Sequence, residues 1–520
     1  GLGQVCLAIE NVQAPSGKDF YCSAQYLRHS GVCRVPQKSG DDALYLVGIN
    51  VTDYDYKLDI VFQQMENGGV IQTQIPVEDT WLAGSEVVMC SGPMAGMVVS
   101  GEGVDFYAFR LDDQLKWNED DNIYEALANA GGAIVNGAPI SLFSLTTTDD
   151  KLVTYWGGYF RSTSLQAPGE SSPTSHKDFL VRCIDDSLST TGYSCEPRFL
   201  KIHDGTTDID NSDTLMPPYT DTTPAVTGIW GYWKGDVETL QTMTNIRVNF
   251  SGSADDFGYW LSNASVDGDV WGYDAPTGCI GWKGGTCDTF PSWELDYEYY
   301  SDWNRGMYSI DGMNGKTMIA ASPKVPLFDS NNLSVNQNPD NAPNVAPLFY
   351  NDGTGFVALQ YPTGALLKDA KHFDGAPYEF LFDHVRFLSD EQVLLVGHYR
   401  TCLTDGCYNT LDVENSVTVK TQPFLTTYNQ TSKTFGPMIP IGSGFEQTCC
   451  TGPACQSVPN CLRYQMDAFW FGARILGVNL RKHANGVEIY MTQSPAVDSG
   501  QGYMTFARKP IVYSYLSIKP

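Results

Sequence analysis

The chain has 520 residues, of which 42% are hydrophobic, 12% aromatic and only 18% charged. This composition supports a large hydrophobic core and argues against a disordered chain. The net charge of -28 argues against nucleic-acid binding, which requires a basic surface facing the phosphates.

Short strand-like segments recur along the chain, separated by clusters of Gly, Pro, Asn, Asp and Ser. They lie at 44–50, 58–64, 95–109, 140–147, 152–160, 179–184, 228–233, 245–251, 257–263, 316–322, 355–361, 378–389, 392–399, 416–424, 468–480, 486–492 and 503–519. A helix is predicted only from Asn122 to Ala130. The pattern predicts an all-β fold.

Three of these segments combine aromatic residues with glycine: 154–160, 228–233 and 468–472. Glycine beside an aromatic ring lets neighbouring sheets approach closely, as the blades of a β-propeller require. The other interpretation is a pair of β-sandwiches with ordinary core aromatics. We favour the propeller, because a chain of this length without an evident linker suits a closed ring of sheets.

Long polar loops are expected around 163–175, 204–225, 264–305 and 326–345. The third is rich in Trp, Tyr and acidic residues and contains Trp293, Tyr297, Tyr299 and Trp303. Exposed aromatic side chains of this kind often anchor binding partners. They can equally pack over the edge of a sheet, and both interpretations remain open.

The fourteen cysteines indicate disulfides, because no Cys-x-x-Cys pair lies near paired histidines as a zinc site would need. Asn-x-Ser/Thr acceptors for glycosylation stand at Asn50, Asn249, Asn263, Asn332 and Asn429. Together these features favour the secretory pathway. No apolar segment reaches the ~20 residues of a membrane-spanning helix, and residues 1–5 do not look like a signal peptide. We expect a mature ectodomain or one cut from a longer protein.

Several segments, taken in order, resemble the head of a paramyxovirus attachment glycoprotein. They are 20–22, 31–33 and 45–48 near the start, then 150–158, 179–183 and 392–397, and finally Cys455 to Cys461 with Tyr464, 467–469, 477–478 and 512–518. The resemblance implies one six-bladed β-propeller over residues 1–520, stabilised by disulfides, with a stalk and membrane anchor preceding Gly1.

The resemblance also implies a set of disulfides. Four pairs correspond to family bridges: Cys6–Cys33, Cys22–Cys90, Cys183–Cys455 and Cys450–Cys461. Two short loops are expected as local additions, Cys279–Cys287 and Cys402–Cys407, which leaves Cys195 with Cys449.

Some members of that family are sialidases, which need three arginines around a carboxylate, a Tyr nucleophile with its Glu, and an acid Asp. Most of these groups are missing here: Leu7, Gln392 and Lys519 stand where an arginine, a second arginine and the Glu are expected. Only Arg474 and Tyr503 remain. We therefore predict no catalytic residues and no cofactor or metal. Arg474 and Tyr503 join the four loop aromatics as candidate receptor contacts.

The sequence-based prediction is thus a viral surface attachment head that binds a host receptor, either a protein or a sialoglycan, without sialidase activity. The family implies a separate fusion protein as partner, homodimers or dimers of dimers, and a place on the virion surface.

Two alternatives belong to other classes. One is a secreted carbohydrate-active propeller of a eukaryote, with a carboxylate pair drawn from Asp255, Asp256, Glu294 and Asp296. The other is a structural glycoprotein that polymerises. Of the histidines, only His372, His384 and His398 lie near one another. His384 and Arg386 are expected on one face of a strand, with a structural role favoured.

Overall fold

A computed structural model describes most of the predicted strands and the turns between them. The described residues are 27–51, 58–64, 71–77, 87–100, 104–131, 137–161, 176–199, 225–248, 256–267, 270–273, 278–280, 306–322, 345–354, 356–361, 377–402, 417–441, 445–449, 475–483, 486–493, 497–498, 504–505 and 511–516. They are almost wholly β-structure, as predicted.

The strands form antiparallel sheets that follow one another along the chain, numbered here in that order. Sheet 1 contains β1 (Leu27–Val35), β2 (Ala43–Val51), β3 (Leu58–Gln64) and β4 (Ile71–Val77). Sheet 2 contains β5 (Val87–Ser91), β6 (Met94–Ser100), β7 (Val104–Leu111) and β8 (Trp117–Glu119), and is followed by helix α1 (Asp121–Gly131). Sheet 3 contains β9 (Gly137–Thr146), β10 (Leu152–Arg161), β11 (His176–Asp185) and β12 (Tyr193–Phe199).

Sheet 4 contains β13 (Ala225–Lys234), β14 (Val237–Val248), β15 (Asp256–Asp267) and β16 (Val270–Tyr273), with β17 (Gly278–Ile280) also paired to β15. Sheet 5 contains β18 (Gly306–Met313), β19 (Lys316–Ser322), β20 (Val345–Asn351) and β21 (Phe356–Tyr361).

Sheet 6 contains β22 (Pro377–Phe387), β23 (Gln392–Cys402), β24 (Val417–Asn429) and β25 (Thr434–Phe435); β26 (Ile439–Pro440) and β27 (Phe445–Cys449) also pair with β24. Sheet 7 contains β28 (Gly477–His483), β29 (Gly486–Gln493) and β32 (Ile511–Leu516). Between the last two strands, β30 (Val497–Asp498) pairs with β31 (Met504–Thr505).

The first strand of each sheet contacts the first strand of the next, and β28 of sheet 7 contacts β1 of sheet 1. The sheets therefore close into a ring with the first strands at its centre, which is a β-propeller arrangement. The described residues form seven consecutive sheets of three or more strands, so the predicted count of six blades is wrong. The sequence prediction read 95–109 as one strand, although it contains β6, a break and β7.

The hydrophobic core lies between neighbouring sheets rather than inside one of them. Phe62, Phe109 and Trp117 pack between sheets 1 and 2, where the Phe62 and Trp117 rings stack 4.7 Å apart. Between sheets 2 and 3, Trp156 meets Phe106, and Leu127 of α1 joins the same cluster. Another buried cluster joins sheets 6 and 7, and Tyr490 of sheet 7 packs against Val32 and Leu46 of sheet 1.

Glycine permits this packing at two tryptophans. A Cβ atom on Gly96 would lie 2.8 Å from the Trp156 ring, and one on Gly312 would lie 2.4 Å from the Trp230 ring. Glycine thus allows close packing between sheets 2 and 3 and between sheets 4 and 5; the two tryptophans lie in predicted aromatic–glycine segments, whereas Gly96 and Gly312 lie on the facing strands outside them.

Two disulfides join described cysteines, and both correct the predicted pairing. Cys33 of β1 is bonded to Cys90 of β5, which excludes Cys6–Cys33 and Cys22–Cys90. Cys183 of β11 is bonded to Cys195, its register partner on β12, which excludes Cys183–Cys455 and Cys195–Cys449. The reason is local in both cases. Strand β1 contacts β5 where sheets 1 and 2 meet, with the Cα atoms of Cys33 and Cys90 5.4 Å apart. Antiparallel pairing of β11 with β12 places the Cα atoms of Cys183 and Cys195 4.1 Å apart. The expected pairs Cys450–Cys461, Cys279–Cys287 and Cys402–Cys407 involve residues outside the described part.

The two faces of the ring differ in the length of their connections. On one face, here called the turn face, described turns such as 112–116, 235–236 and 314–315 are short, and the longest are seven residues, at 36–42 and 186–192. The connections that begin at the opposite ends of the strands are much longer. Examples are 162–175, 200–224, 281–305 and 323–344. We call this second side the long-connection face.

Helix α1 confirms the predicted helix and begins after Asp120, whose Oδ1 accepts a hydrogen bond from the Ile123 amide at 3.2 Å. Within the described part of the chain, no helix has the length and apolar character needed to cross a membrane.

Candidate functional site

Polar side chains collect at the centre of the ring, where the first strands of sheets 5, 6, 7 and 1 approach the turn face. We call Ser309 and Asp311 of β18, Arg386 of β22 and Arg34 of β1 the hub cluster. Ser309 is buried and the other three side chains are partly buried, so these groups gain from hydrogen-bonding partners within the fold.

Arg386 joins three sheets. Its Nε donates to the carbonyl oxygen of Val478 at 3.2 Å, and its Nη1 donates to Ser309 Oγ at 3.1 Å. Ser309 Oγ also accepts from the Val385 amide at 3.1 Å. His384, two residues before Arg386, contacts the carbonyl oxygen of Ile475 at 2.7 Å. The predicted structural role of His384 and Arg386 on a shared face is confirmed.

The seam between sheets 7 and 1 has a matching set of contacts. Arg34 Nη1 donates to the carbonyl oxygen of Leu480 at 3.2 Å, and Asn479 Nδ2 donates to the carbonyl oxygen of Val32 at 2.9 Å. The Arg34 guanidinium also lies 3.8 Å from the Asp42 carboxylate. Residues more than 440 positions apart in sequence therefore close the ring.

Asp311 is the acidic member of the hub cluster, and its Oδ2 accepts a hydrogen bond from the Phe387 amide at 2.8 Å. Burial raises the pKa of Asp311, while the charges of Arg386 and Arg34 act in the opposite direction. Burial also disfavours the charged form of Arg386 and so lowers its pKa. The Asp311 charge opposes this effect, and the nearby Arg34 charge adds to it. The cluster thus places the Arg386 guanidinium and the Asp311 carboxylate in a poorly solvated centre, with the partly exposed Arg34 guanidinium beside them.

A second charged group lies between sheets 3 and 4. Arg182 of β11 donates through Nε and Nη2 to Glu238 Oε2 of β14, at 3.0 and 2.7 Å. Tyr155 donates its hydroxyl to Glu238 Oε1 at 2.9 Å. Burial, followed by the Glu238 charge, raises the pKa of Tyr155 far above its usual range. The carboxylate is held by a guanidinium and a phenol, which is a structural arrangement.

A similar group is buried in sheet 7. Arg481 Nε donates to Glu488 Oε2 at 2.7 Å, and both side chains are fully buried. Tyr490 donates to the same oxygen at 3.0 Å and accepts from Arg481 Nη2, also at 3.0 Å. Because Tyr490 packs against sheet 1, this group also stabilises the closing seam.

In sheet 6, His398 Nδ1 lies 2.6 Å from Asp383 Oδ2, with both side chains buried. Asp383 sits at a register shift of β22, between Phe382 and His384. A bulge of this kind turns one side chain out of the regular alternation. This pair and the two Arg–Glu groups were not predicted from the sequence. Their one sequence signal is charge within otherwise apolar strands.

The predicted receptor contacts and alternative catalytic carboxylates fall almost entirely outside the described residues. These are Arg474, Tyr503, Trp293, Tyr297, Tyr299, Trp303, Asp255, Glu294 and Asp296. Asp256 is the first residue of β15. Of the glycosylation acceptors, Asn50 lies on β2, Asn263 on β15 and Asn429 at the end of β24. Asn249 and Asn332 fall outside the described part. In that part, no three His, Cys, Asp or Glu side chains are grouped as a metal site would require.

Comparisons with known proteins add little to this geometry. No family model matches the chain, and no curated protein matches it. Among solved structures, it is similar to a GH32 β-fructofuranosidase of Bombyx mori in complex with sucrose. That similarity has 9% sequence identity and a TM-score of 0.26, and covers 96% of this chain and 88% of the other. The propeller assignment comes from the sheet topology of this chain.

Proposed function

We propose that this chain is an extracellular binding head that recognises a partner on another surface through its long-connection face. The observation that carries the proposal is the difference between the two faces of a closed ring. Short turns are enough to connect strands, so the extra length on one face needs another reason. Binding residues commonly lie on long loops that a rigid scaffold positions.

An extracellular location fits the covalent chemistry of the chain. Two disulfides join described strands, and disulfides persist mainly in oxidising compartments. The acceptors for N-glycosylation point the same way. The proposed binding contacts are the aromatic residues Trp293, Tyr297, Tyr299 and Trp303, together with Arg474 and Tyr503.

A more specific form of the proposal is a viral attachment head that binds a host receptor and acts with a fusion protein. It rests on the sequence resemblance alone. The number of sheets and the pairing of Cys33 and Cys183 depart from what that resemblance implies. Homodimerisation, an N-terminal membrane anchor and a lack of catalysis belong to this specific form.

The test is a binding screen of the secreted, glycosylated chain on cultured cells and on a glycan array, with a sialoside turnover assay in parallel. The double variant W293A/Y297A is expected to reduce cell or glycan binding at least tenfold. The matched control is I439S, which removes an exposed apolar side chain of sheet 6 and should leave binding unchanged.

Equal binding by W293A/Y297A and the parent chain would show that the aromatic residues of the long-connection face do not carry recognition, and would overturn the proposal. Turnover of a sialoside or another glycoside would replace the binding head with an enzyme. Glycan binding without turnover would identify the partner as a carbohydrate, and cell binding without glycan binding would identify it as a protein.

A further inference from the structure

Three large apolar side chains are exposed on the turn face of consecutive sheets. They are Leu115 between β7 and β8, Leu188 between β11 and β12, and Trp233 near the end of β13, exposed by 38%, 94% and 37%. We call them the apolar turn patch. Among the described residues, only Tyr124 and Ile439 are comparable exposed hydrophobics.

Hydrogen bonds join the neighbouring sheets close to the members of this patch. Arg110, beside the 112–116 turn, binds Asp185, at the base of the 186–192 turn, through two bonds of 3.0 and 3.2 Å. Trp233 Nε1 donates to the carbonyl oxygen of Thr146 in sheet 3 at 3.2 Å. The patch therefore lies on the turn face of three sheets, 2, 3 and 4, that contact one another.

Leu115 occupies a backbone conformation that disfavours leucine. Its φ is 61°, in the left-handed region that glycine and asparagine adopt more easily. The other described non-glycine residues with positive φ are polar: Asp150, Asn314 and Lys433. Leu115 belongs to none of the buried core clusters and remains 38% exposed, so a contact outside the fold is a reason for a leucine in this conformation.

The surroundings of the patch are acidic. Asp113, Asp149, Asp150 and Asp236 are exposed there, and Asp112 and Asp186 accept hydrogen bonds within their own turns. Three lysines, Lys116, Lys151 and Lys234, offset half of these six charges. A second copy of the chain, which carries a net charge of -28, would be repelled. A basic partner would be attracted.

We propose that the apolar turn patch is a second docking surface, which binds a protein segment rich in lysine or arginine that also presents apolar side chains. The occupant's leucines or similar residues cover Leu115, Leu188 and Trp233, and its cations face the aspartates. This surface lies opposite the long-connection face and is independent of the partner bound there.

The test uses a synthetic 16-residue peptide of leucine and lysine with its leucines on one helical face, and the intact chain as binder. Two control peptides replace lysine by glutamate, or leucine by serine. The parent chain is expected to bind the Leu/Lys peptide at least tenfold more tightly than either control, with affinity falling as salt rises. Hydrogen exchange is expected to slow at 112–116 and 186–192.

The decisive variant is L115G/L188S, expected to weaken binding of the Leu/Lys peptide at least tenfold. Glycine fits the φ of Leu115, so the melting temperature of this variant should not fall below that of the parent. The matched control is I439S, which removes an exposed apolar residue of sheet 6 and should leave binding unchanged. Unchanged binding by L115G/L188S, equal loss in I439S, or equal affinity for the glutamate peptide would each overturn the proposal.

Discussion

Glu238 carries a charge in a site from which water is almost excluded. Its side chain is 2% exposed, and Arg182 and Tyr155 occupy both of its oxygens. The net contribution of such a group is small, because desolvation offsets the attraction between the charges. The cost of removing one partner is large, since the other charge is left buried and unpaired.

We therefore expect Glu238→Gln to lower the free energy of unfolding by about 3–5 kcal/mol. The measurement is urea unfolding followed by intrinsic fluorescence. The matched control is Asp42→Asn, which removes the ionic partner of Arg34. The two groups lie 3.8 Å apart, and both side chains are partly exposed to solvent. This variant should cost no more than about 1 kcal/mol. Similar costs for the two variants would contradict the assignment.

Asp311 links stability to pH in a direction opposite to that of most carboxylates. Burial raises its pKa above 3.8, so the folded state keeps the proton to higher pH than the unfolded chain. The stability gained from protonated Asp311 is complete below pH 3.8 and is lost as pH rises through the higher folded-state pKa.

The variant Asp311→Asn keeps an oxygen acceptor for the Phe387 amide and removes this titration. We expect the stability of the parent, relative to Asp311→Asn, to fall as pH rises from 3.5 to 7 in urea unfolding experiments. Asp352 is the control, because hydrogen bonds from Thr354 lower its pKa. Relative to Asp352→Asn, the parent should gain stability over the same range. Parallel curves for both variants would refute the assignment for Asp311.

Single residues were the hardest features to predict. Charge within apolar strands marks Arg182, Glu238, Arg481 and Glu488 as unusual, but their pairing depends on which strands meet. Cys183 and Cys195 illustrate the same limit. Their bond follows from the register of β11 and β12, which a count of cysteines does not contain. The resemblance to the attachment glycoproteins implied disulfide partners far away in the sequence, whereas each of these two cysteines bonds to a cysteine on the neighbouring strand.

At the level of elements, alternation and turn residues predicted most strands and the one long helix. One error merged β6 and β7, although Gly101 and Gly103 stand in the sequence between them. Another missed β5, which Gly92 and Pro93 join to β6, with Gly92 at a φ of 53°. The loop expected at 264–305 is also wrong at its start, because β15 continues to Asp267 and β16 and β17 follow.

The glycines between sheets offer a test of element packing. In Gly312→Ala the new methyl group would lie 2.4 Å from the Trp230 ring and 2.6 Å from the carbonyl oxygen of Lys316. We expect a loss of about 1–3 kcal/mol in the free energy of unfolding, measured by urea titration, because overpacking forces the sheets apart.

The control is Gly31→Ala in β1, where the nearest atom to a new Cβ is Val88 Cγ1 at 3.4 Å, an ordinary contact. This variant should be as stable as the parent or slightly more so, because alanine loses less entropy than glycine on folding. A Gly312→Ala protein as stable as Gly31→Ala would show that sheets 4 and 5 are not packed this closely.

For the whole molecule, composition and aromatic–glycine segments were enough to favour a propeller. The number of sheets was not predictable from the sequence. Each sheet has a similar local pattern of strands and turns, and the number in the ring depends on the angle between neighbouring sheets, which a local pattern does not give. Closure depends on contacts such as Arg34 to Leu480 and Asn479 to Val32. These residues lie at opposite ends of the sequence and have no shared motif.

The two disulfides should stabilise this ring unequally. Cys33–Cys90 closes a segment of 57 residues and ties sheet 1 to sheet 2, whereas Cys183–Cys195 closes 12 residues within sheet 3. In the loop-entropy model the first contributes about 4 kcal/mol and the second about 3 kcal/mol. The longer bridge restricts the unfolded chain more, because it removes more of its conformations.

We expect Cys33→Ala/Cys90→Ala to lower the free energy of unfolding by about 1 kcal/mol more than Cys183→Ala/Cys195→Ala, because the loop-entropy term grows with the logarithm of the closed segment. The measurement is denaturant unfolding of both double variants beside the parent. Peptide mapping under non-reducing conditions provides the control and should recover both bridges from the parent. A Cys183 peptide joined to Cys455 would contradict the sheet pairing itself, since β11 and β12 place Cys183 directly opposite Cys195.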